Sequence, residues 1–238
     1  MLRWFQLYPS YFWQYVKRQM AYRANFWIEA GSYLLWICSE VALIYFIGFQ
    51  VKELQGWTLP QLLLMYALSL SAVGCFFTVG VNLFFLPGEY ILEGNLDRLM
   101  LRPMDPYGQL LMERISGEDT ITLLTGLGLT FYALHWLGVP INLITILMVL
   151  AHALGGGMIF LGLMTMAGSL SFVLKDRWGM MHMFLTAADQ LGSYPINIYP
   201  PLARTIMTFI VPSLSLVSIR HKRSLILPCI RSVPISPR

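Results

Sequence analysis

The apolar segment from Leu143 to Leu174 contains no Asp, Glu, Lys or Arg. A helix needs about 20 mostly apolar residues to cross the roughly 30 Å hydrocarbon core of a bilayer, so this segment is long enough to span a membrane and to tilt. Three further apolar runs extend over residues 26–49, 62–86 and 121–137. Charged residues make up 12% of the chain, about half the share expected of a soluble domain. These features predict an all-α membrane protein.

Two weaker apolar runs, residues 180–198 and 202–219, bring the predicted number of transmembrane helices to six. The first contains Pro195, and the second contains Arg204 and Pro212. Either run is consistent with a broken or re-entrant helix, which membranes tolerate only where the freed backbone groups face protein or water. The predicted transmembrane domain therefore covers residues 26–219.

The distribution of basic residues tests this six-span topology. Lys and Arg are enriched in cytoplasmic segments. With the N-terminus inside, all 16 Lys and Arg residues except Lys52 and Arg204 fall on the cytoplasmic side. The sequence therefore predicts a multi-pass protein of the plasma (inner) membrane with both termini in the cytoplasm. The net charge of +4 follows from this topology, and no binding of nucleic acid is needed to explain it.

Residues 1–25 precede the first predicted span and repeat aromatic side chains at helical spacing. Tyr8, Tyr11, Tyr15 and Tyr22 belong to this pattern, and basic residues occupy the other faces. Helices that lie in the membrane interface combine aromatic side chains at headgroup depth with basic residues near anionic lipid. We therefore predict an amphipathic interfacial helix on the cytoplasmic surface. An ordinary positively charged flank is the alternative.

The sequence lacks the motifs that would indicate catalysis or a bound cofactor. There is no G-x-x-x-x-G-K-[ST] phosphate-binding loop, the four histidines show no H-E-x-x-H spacing, and the three cysteines form no C-x-x-C pair. We predict no catalytic, cofactor-binding or metal-binding site and no disulfide. The glycines of GLGL (126–129) and GGG (155–157) instead predict close helix contacts, with Ala153 and Gly157 as a small-residue pair.

Three acidic residues fall within predicted spans. Glu40 and Asp189 lie near the middle of the first and fifth spans, and Glu29 lies near the cytoplasmic end of the first. A carboxylate at the centre of a helix costs about 2.5 to 3.5 kcal/mol on insertion, so we expect the two central acids to face the bundle interior, a cavity or a partner subunit. A proton or substrate path and a structural hydrogen bond are both open interpretations.

A charged insert, residues 87–118, separates the second and third spans, and the predicted orientation places it in the cytoplasm. Asn95 predicts the N-cap of a short helix that ends at Pro103, and Asp105 with Pro106 predicts the start of a second helix. The apolar positions expected to share one face are Leu96, Leu99 and Met100 in the first helix and Tyr107, Leu110 and Leu111 in the second, followed by Arg114. Helices this short are marginal alone, so they need a membrane or protein surface to dock against.

Four separated segments of the chain resemble the six-span permease family of ATP-binding-cassette (ABC) exporters. They are LPGEYILEGNLDRLMLRPMDP in the insert, YRANFWIE, GWTLPQLLLMYALSL and YPINIYPPLARTIMTFIVP. The resemblance implies the membrane subunit of an ABC transport system that exports a substrate by alternating access. It also implies that the ATPase is a separate polypeptide and that a second permease subunit completes a homo- or heterodimer.

The same resemblance assigns the insert a cytoplasmic coupling helix that docks on the ATPase and transmits its closing motion to the spans. Gly94 would permit the sharp entry into this helix, and the charged residues would fix its register on the ATPase. The positions that match the family motif are Glu93, Gly94, Leu96, Asp97, Arg98, Arg102 and Pro103.

After Pro212 the chain departs from the family pattern, and residues 220–238 form a basic tail that contains Pro and Ser. This departure is typical of a frameshifted or truncated end, and a basic cytoplasmic tail is the alternative.

The residues alone leave two other functions open. One is a non-transporting membrane scaffold or accessory subunit, and the other is an ion-coupled secondary transporter that uses Glu40 or Asp189.

Overall fold

The computed structural model describes residues 17, 23–50, 57–102, 105–113, 117–174, 182–183 and 185–186. Regular secondary structure in these residues is helical, which confirms the predicted all-α class. The elements are α1 (Arg23–Gln50), α2 (Leu59–Phe85), a π-helix (Leu86–Leu92), α3 (Asn95–Met100), α4 (Pro106–Glu113), α5 (Gly117–Trp136) and α6 (Leu143–Leu174).

Three of these helical segments are long and apolar enough to cross a membrane, judged by length and composition: Trp27–Gln50, Leu59–Leu92 and Leu143–Val173. They correspond to the first, second and fourth predicted spans. The run predicted as the third span forms α5, which does not meet the same criterion. The interfacial helix, the tail and the fifth and sixth spans fall almost entirely outside the described residues, so the six-span topology stays a prediction.

The central helix of the described bundle is α2, which packs along both α5 and α6. More than half of its apolar stretch is buried, whereas only a small part of that of α1 is. Between α2 and α6 the rings of Phe76 and Phe160 lie 6.2 Å apart between centroids, and Met164 is fully buried beside them. Among the described helices, α2 therefore makes the most extensive contacts, while α1 also touches α5 directly.

Small residues bring α5 close to α2. A Cβ atom on Gly126 would lie 2.7 Å from the backbone nitrogen of Ser71, and one on Gly74 would lie 2.5 Å from the nitrogen of Leu123. The two pairs run in opposite chain directions, so the helices are antiparallel. Gly128, by contrast, has no atom of the described residues within 4 Å of its Cβ position. The predicted close contact in GLGL is therefore confirmed at Gly126 and wrong at Gly128, because the two glycines lie on different faces of α5.

The contact between α2 and α6 follows the same pattern. A Cβ on Gly156 would lie 2.5 Å from the Cβ of Ala72, and one on Gly157 would lie 2.9 Å from the sulfur of Cys75. Gly155 has open space around its Cβ position. Two of the three consecutive glycines therefore permit the helix contact that the sequence predicted.

The turn from α5 to α6 is closed by a Schellman motif. Gly138 adopts φ +72°, its N–H bonds to the carbonyl of His135 at 3.0 Å, and the N–H of Val139 bonds to the carbonyl of Leu134 at 3.1 Å. Glycine is favoured there because a left-handed conformation is costly for residues with a Cβ atom. Pro140 follows and cannot continue the helix.

Candidate functional site

The α-helical bonding of α2 stops where Pro87 enters the chain. Because proline has no N–H, the carbonyl of Leu83 accepts a bond from the N–H of Leu86 instead. The chain continues as a π-helix, in which the N–H of Glu93 bonds to the carbonyl of Gly88 at 3.3 Å. Single π-helical turns are rare and often occur at functional sites.

A left-handed residue separates the π-helix from α3. Gly94 has φ +75° and ψ +12°, and no atom lies within 4 Å of its Cβ position. Glycine is therefore favoured here because of the left-handed backbone conformation, and not because neighbouring atoms crowd the Cβ position. The π-helix precedes Gly94, and α3 starts at the next residue.

The predicted N-cap role of Asn95 is wrong. Gly94 occupies the N-cap position, and Asn95 is the first residue of α3. Its Nδ2 donates to the carbonyl of Glu89 at 2.8 Å, in the last turn of the π-helix, where carbonyls lack an intrahelical donor. The Asn95 side chain therefore links α3 to the π-helix. It does not accept a hydrogen bond from the N–H groups in the first turn of α3, as an N-cap side chain would.

Only part of the apolar face predicted for α3 is turned inward. Leu99 is 2% exposed and joins the main apolar core, and Leu96 is half-buried against it. Met100 is 56% exposed and the following Leu101 is 86% exposed. Asp97 and Arg98 are also exposed. The outer surface of α3 therefore combines two apolar side chains with charges of both signs.

The second short helix begins as predicted. Pro106 is the first residue of α4, and Oδ2 of Asp105 accepts a hydrogen bond of 2.7 Å from the N–H of Gly108. Leu110 is buried and Leu111 is half-buried, whereas Tyr107 is 39% exposed. Arg114, the last member of the predicted stripe, lies outside the described residues.

Replacing Asp105 with Ala is expected to destabilise α4 by about 1 kcal/mol, because the Gly108 N–H loses its acceptor. Replacing it with Ser retains an acceptor and should cost much less. Deuterium exchange of the α4 amides in detergent would measure the effect. Equal exchange in the Ala and Ser variants would contradict a stabilising role for the Asp105 bond.

Side-chain hydrogen bonds connect α4 to three neighbouring elements. Nδ2 of Asn82, at the end of α2, donates to the carbonyl of Leu110 at 2.6 Å. The hydroxyl of Tyr90, in the π-helix, donates to Oε2 of Glu113 at 3.1 Å. The hydroxyl of Tyr107 lies 2.9 Å from Oγ1 of Thr165 on α6. These contacts fix α4 against two apolar helices and the segment that leads to α3.

Sequence reasoning missed the partners Asn82, Glu113 and Thr165. The only local signal is that Asn82 stands alone as an amide in the apolar second half of α2, and it is 1% exposed. A buried amide needs a partner, but the sequence alone does not say which backbone carbonyl supplies it.

A cavity of about 270 Å³ lies between the π-helix, α3 and α4. Its lining includes two basic residues, Arg98 and Arg102, and two acidic residues, Glu89 and Glu113. The side chain of Leu99 closes it toward the core. A cavity with both charges suits a partner side chain that donates and accepts charge-assisted hydrogen bonds.

The structure brings most of the residues implied by the family resemblance together at one end of the bundle. Glu93, Gly94, Asp97, Arg98 and Arg102 are exposed. Leu96 is half-buried, and Pro103 lies outside the described residues.

The acidic residues predicted to lie within spans are far from this site in the chain. Glu29 and Glu40 are both half-buried on α1, about three helical turns apart. Asp189 lies outside the described residues. Among the described residues, no three His, Cys, Asp or Glu side chains are grouped so that they could hold a metal ion.

The fold and the insert define a helical membrane protein whose second apolar helix leads into two short helices held against the bundle. A family model described as ABC-2 family transporter protein matches residues 34–219 of the 238-residue chain. The chain belongs to this family, and it is a membrane permease of an ABC transport system that associates with a separate ATPase subunit.

The match runs past Pro212, where the resemblance was predicted to end, and starts after the segment YRANFWIE. The comparisons with curated proteins and with solved structures gave no match.

Proposed function

We propose that the chain is a permease half whose cognate ATPase docks on the outer surface of α3. The observation that carries this proposal is the division of α3 into two faces. Leu99 is anchored in the core, while Leu101 and Met100 are exposed beside Asp97 and the two arginines. Apolar side chains surrounded by charges are typical of protein interfaces, whose apolar centre has a polar rim.

The remaining parts of the proposal follow from the sequence and the family. The basic residues favour a cytoplasmic insert and cytoplasmic termini in the plasma membrane. We propose a second permease subunit, identical or related, and outward movement of the substrate by alternating access. The exposed Trp27, Trp36, Phe46 and Phe49 of α1 support contact of this helix with lipid and with that subunit, since both offer apolar surroundings.

Charge reversal at Arg98 and Arg102 tests the docking surface. The double variant Arg98→Glu, Arg102→Glu is expected to weaken association with the ATPase by roughly 100-fold, because two charge-assisted bonds are replaced by repulsion. The measurement is recovery of the ATPase with the tagged permease, together with its ATP turnover. Lys17→Glu, a single charge reversal at an exposed residue outside the insert, is the control for the single variants Arg98→Glu and Arg102→Glu. Unchanged recovery and turnover in the double variant would refute docking at this surface.

A further inference from the structure

We propose that α4, and not α3 alone, conveys movement of the docked ATPase to the apolar helices, with Asn82, Tyr107 and Thr165 as positioning residues. This inference rests on the proposed docking at α3. The three residues belong to different elements, and none of them lies on the outer surface of α3. Their hydrogen bonds link the insert to the two long helices α2 and α6.

The first step is the contact between α3 and α4. The two helices touch each other, and α3 also touches the π-helix. The hydroxyl of Tyr90 in the π-helix bonds to Glu113 of α4. Leu99 of α3 and Leu110 of α4 belong to the same buried apolar cluster, together with Tyr90. Because packed interiors deform little, displacement of α3 carries α4 with it.

The second step is the link from α4 to α2. Leu110 lies in the second half of α4, on its buried side. Nδ2 of Asn82 donates to its carbonyl from inside the bundle, at 2.6 Å and with both groups buried. Loss of this bond would leave the buried Nδ2 group of Asn82 without that partner, which gives α4 one favoured position on α2.

The third step is the link from α4 to α6. The hydroxyl of Thr165 donates to the carbonyl of Leu161 at 2.7 Å, so its oxygen acts as the acceptor for the hydroxyl of Tyr107 at 2.9 Å. This bond is exposed, and water can replace it when it breaks. Its contribution to stability is therefore small, but its geometry ties α4 to a helix that spans the membrane.

Networks of packed side chains and hydrogen bonds carry coupling between distant sites when the connected elements have more than one arrangement. Within this proposal the π-helix is the element that changes arrangement, since its bonding pattern differs from that of α2 by one residue. A movement caused by docking at α3 would thus be transmitted to α2 and α6 through α4, which contacts both.

Deuterium exchange on the permease–ATPase complex in nanodiscs tests the relay. Exchange is compared between the nucleotide-free complex and the complex trapped with ATP and vanadate. In the wild-type chain, trapping is expected to change exchange in α3, α4 and the part of α6 around Thr165. In Tyr107→Phe and in Thr165→Val the change in α3 should persist and the change in α6 should be lost. The double variant should match either single variant.

Thr125→Val is the matched control. The hydroxyl of Thr125 also donates to the carbonyl four residues earlier, that of Ile121, so the variant removes the same intrahelical bond on α5. It should respond to trapping as the wild-type chain does, and all variants should unfold at the same temperature. A full α6 response in Tyr107→Phe would overturn the relay. Absence of any response in α3 of the wild-type complex would instead overturn the proposed docking.

Discussion

Replacement of Gly126 by Leu is expected to separate α2 from α5 and to cost about 3 kcal/mol of folding free energy, the upper part of the usual range for overpacking. The Cβ position of Gly126 already lies 2.7 Å from backbone of Ser71. Backbone atoms cannot rotate away as a flexible side chain can, so one of the two helices must move.

The buried hydroxyls of Ser71 and Thr130 do not bridge α2 and α5 across this contact. The hydroxyl of Ser71 donates to Leu68 within α2, and the hydroxyl of Thr130 donates to Gly126 within α5. Association therefore depends on close van der Waals packing, which is the main attraction between helices in a bilayer. This dependence is the reason for the large expected effect.

Gly128→Leu is the control for Gly126→Leu. It adds the same side chain two residues away on the same helix, at an exposed position with no atom within 4 Å. Thermal unfolding and the monodisperse fraction on size exclusion, both in one detergent, measure the difference. If both variants lose stability equally, the helix propensity of α5 and not its contact with α2 is responsible.

Replacement of Gly94 by Val is expected to cost about 2 kcal/mol and to weaken recovery of the ATPase. A left-handed conformation costs residues with a Cβ atom about 1 to 2 kcal/mol, and a β-branched side chain is an outlier there. Since the surroundings of Gly94 are open, the cost arises in the backbone. The chain can relieve it only by turning α3 away from its observed position.

Gly138→Val separates the local effect from a general loss of stability. Gly138 has φ +72° against +75° for Gly94, and its Cβ position is equally open. Both variants should lower the unfolding temperature by a similar amount, but only Gly94→Val should reduce ATPase recovery. Gly94→Asn should recover part of the loss, because Asn tolerates the left-handed region. Equal reduction of ATPase recovery in the Gly94 and Gly138 variants would contradict a specific role for the turn at Gly94.

The features that could be predicted from sequence are those whose physics is local. The start of α4 at Asp105 and Pro106 depends on adjacent residues, and the membrane-crossing helices depend on long apolar runs. The bond of Asn82 to Leu110 joins residues 28 apart, and that of Tyr107 to Thr165 joins residues 58 apart. Such pairs arise from the packing of α4, which no single stretch of sequence encodes.

Two predictions failed for a related reason. Asn95 follows the general preference for an N-cap, but the left-handed Gly94 directs its side chain back to Glu89. Gly128 belongs to the same short motif as Gly126, but it faces away from α2. In both cases the residue type was informative, and the direction in which the residue faces depended on the neighbouring element.

The π-helix between Leu86 and Leu92 makes the orientation of α3 depend on chain length. Removing a residue other than Pro87 from this segment would not restore α-helical bonding, because Pro87 still lacks an N–H. With the remaining residues still π-helical, everything after them would rotate around the axis by somewhat less than the roughly 100° per residue of an α-helix. Leu99 would then leave the core, and another residue of α3 would take its inward position. A surface loop tolerates such a deletion. In this segment, however, the number of residues between α2 and Gly94 sets which side of α3 faces the core, as much as the side chains of α3 do.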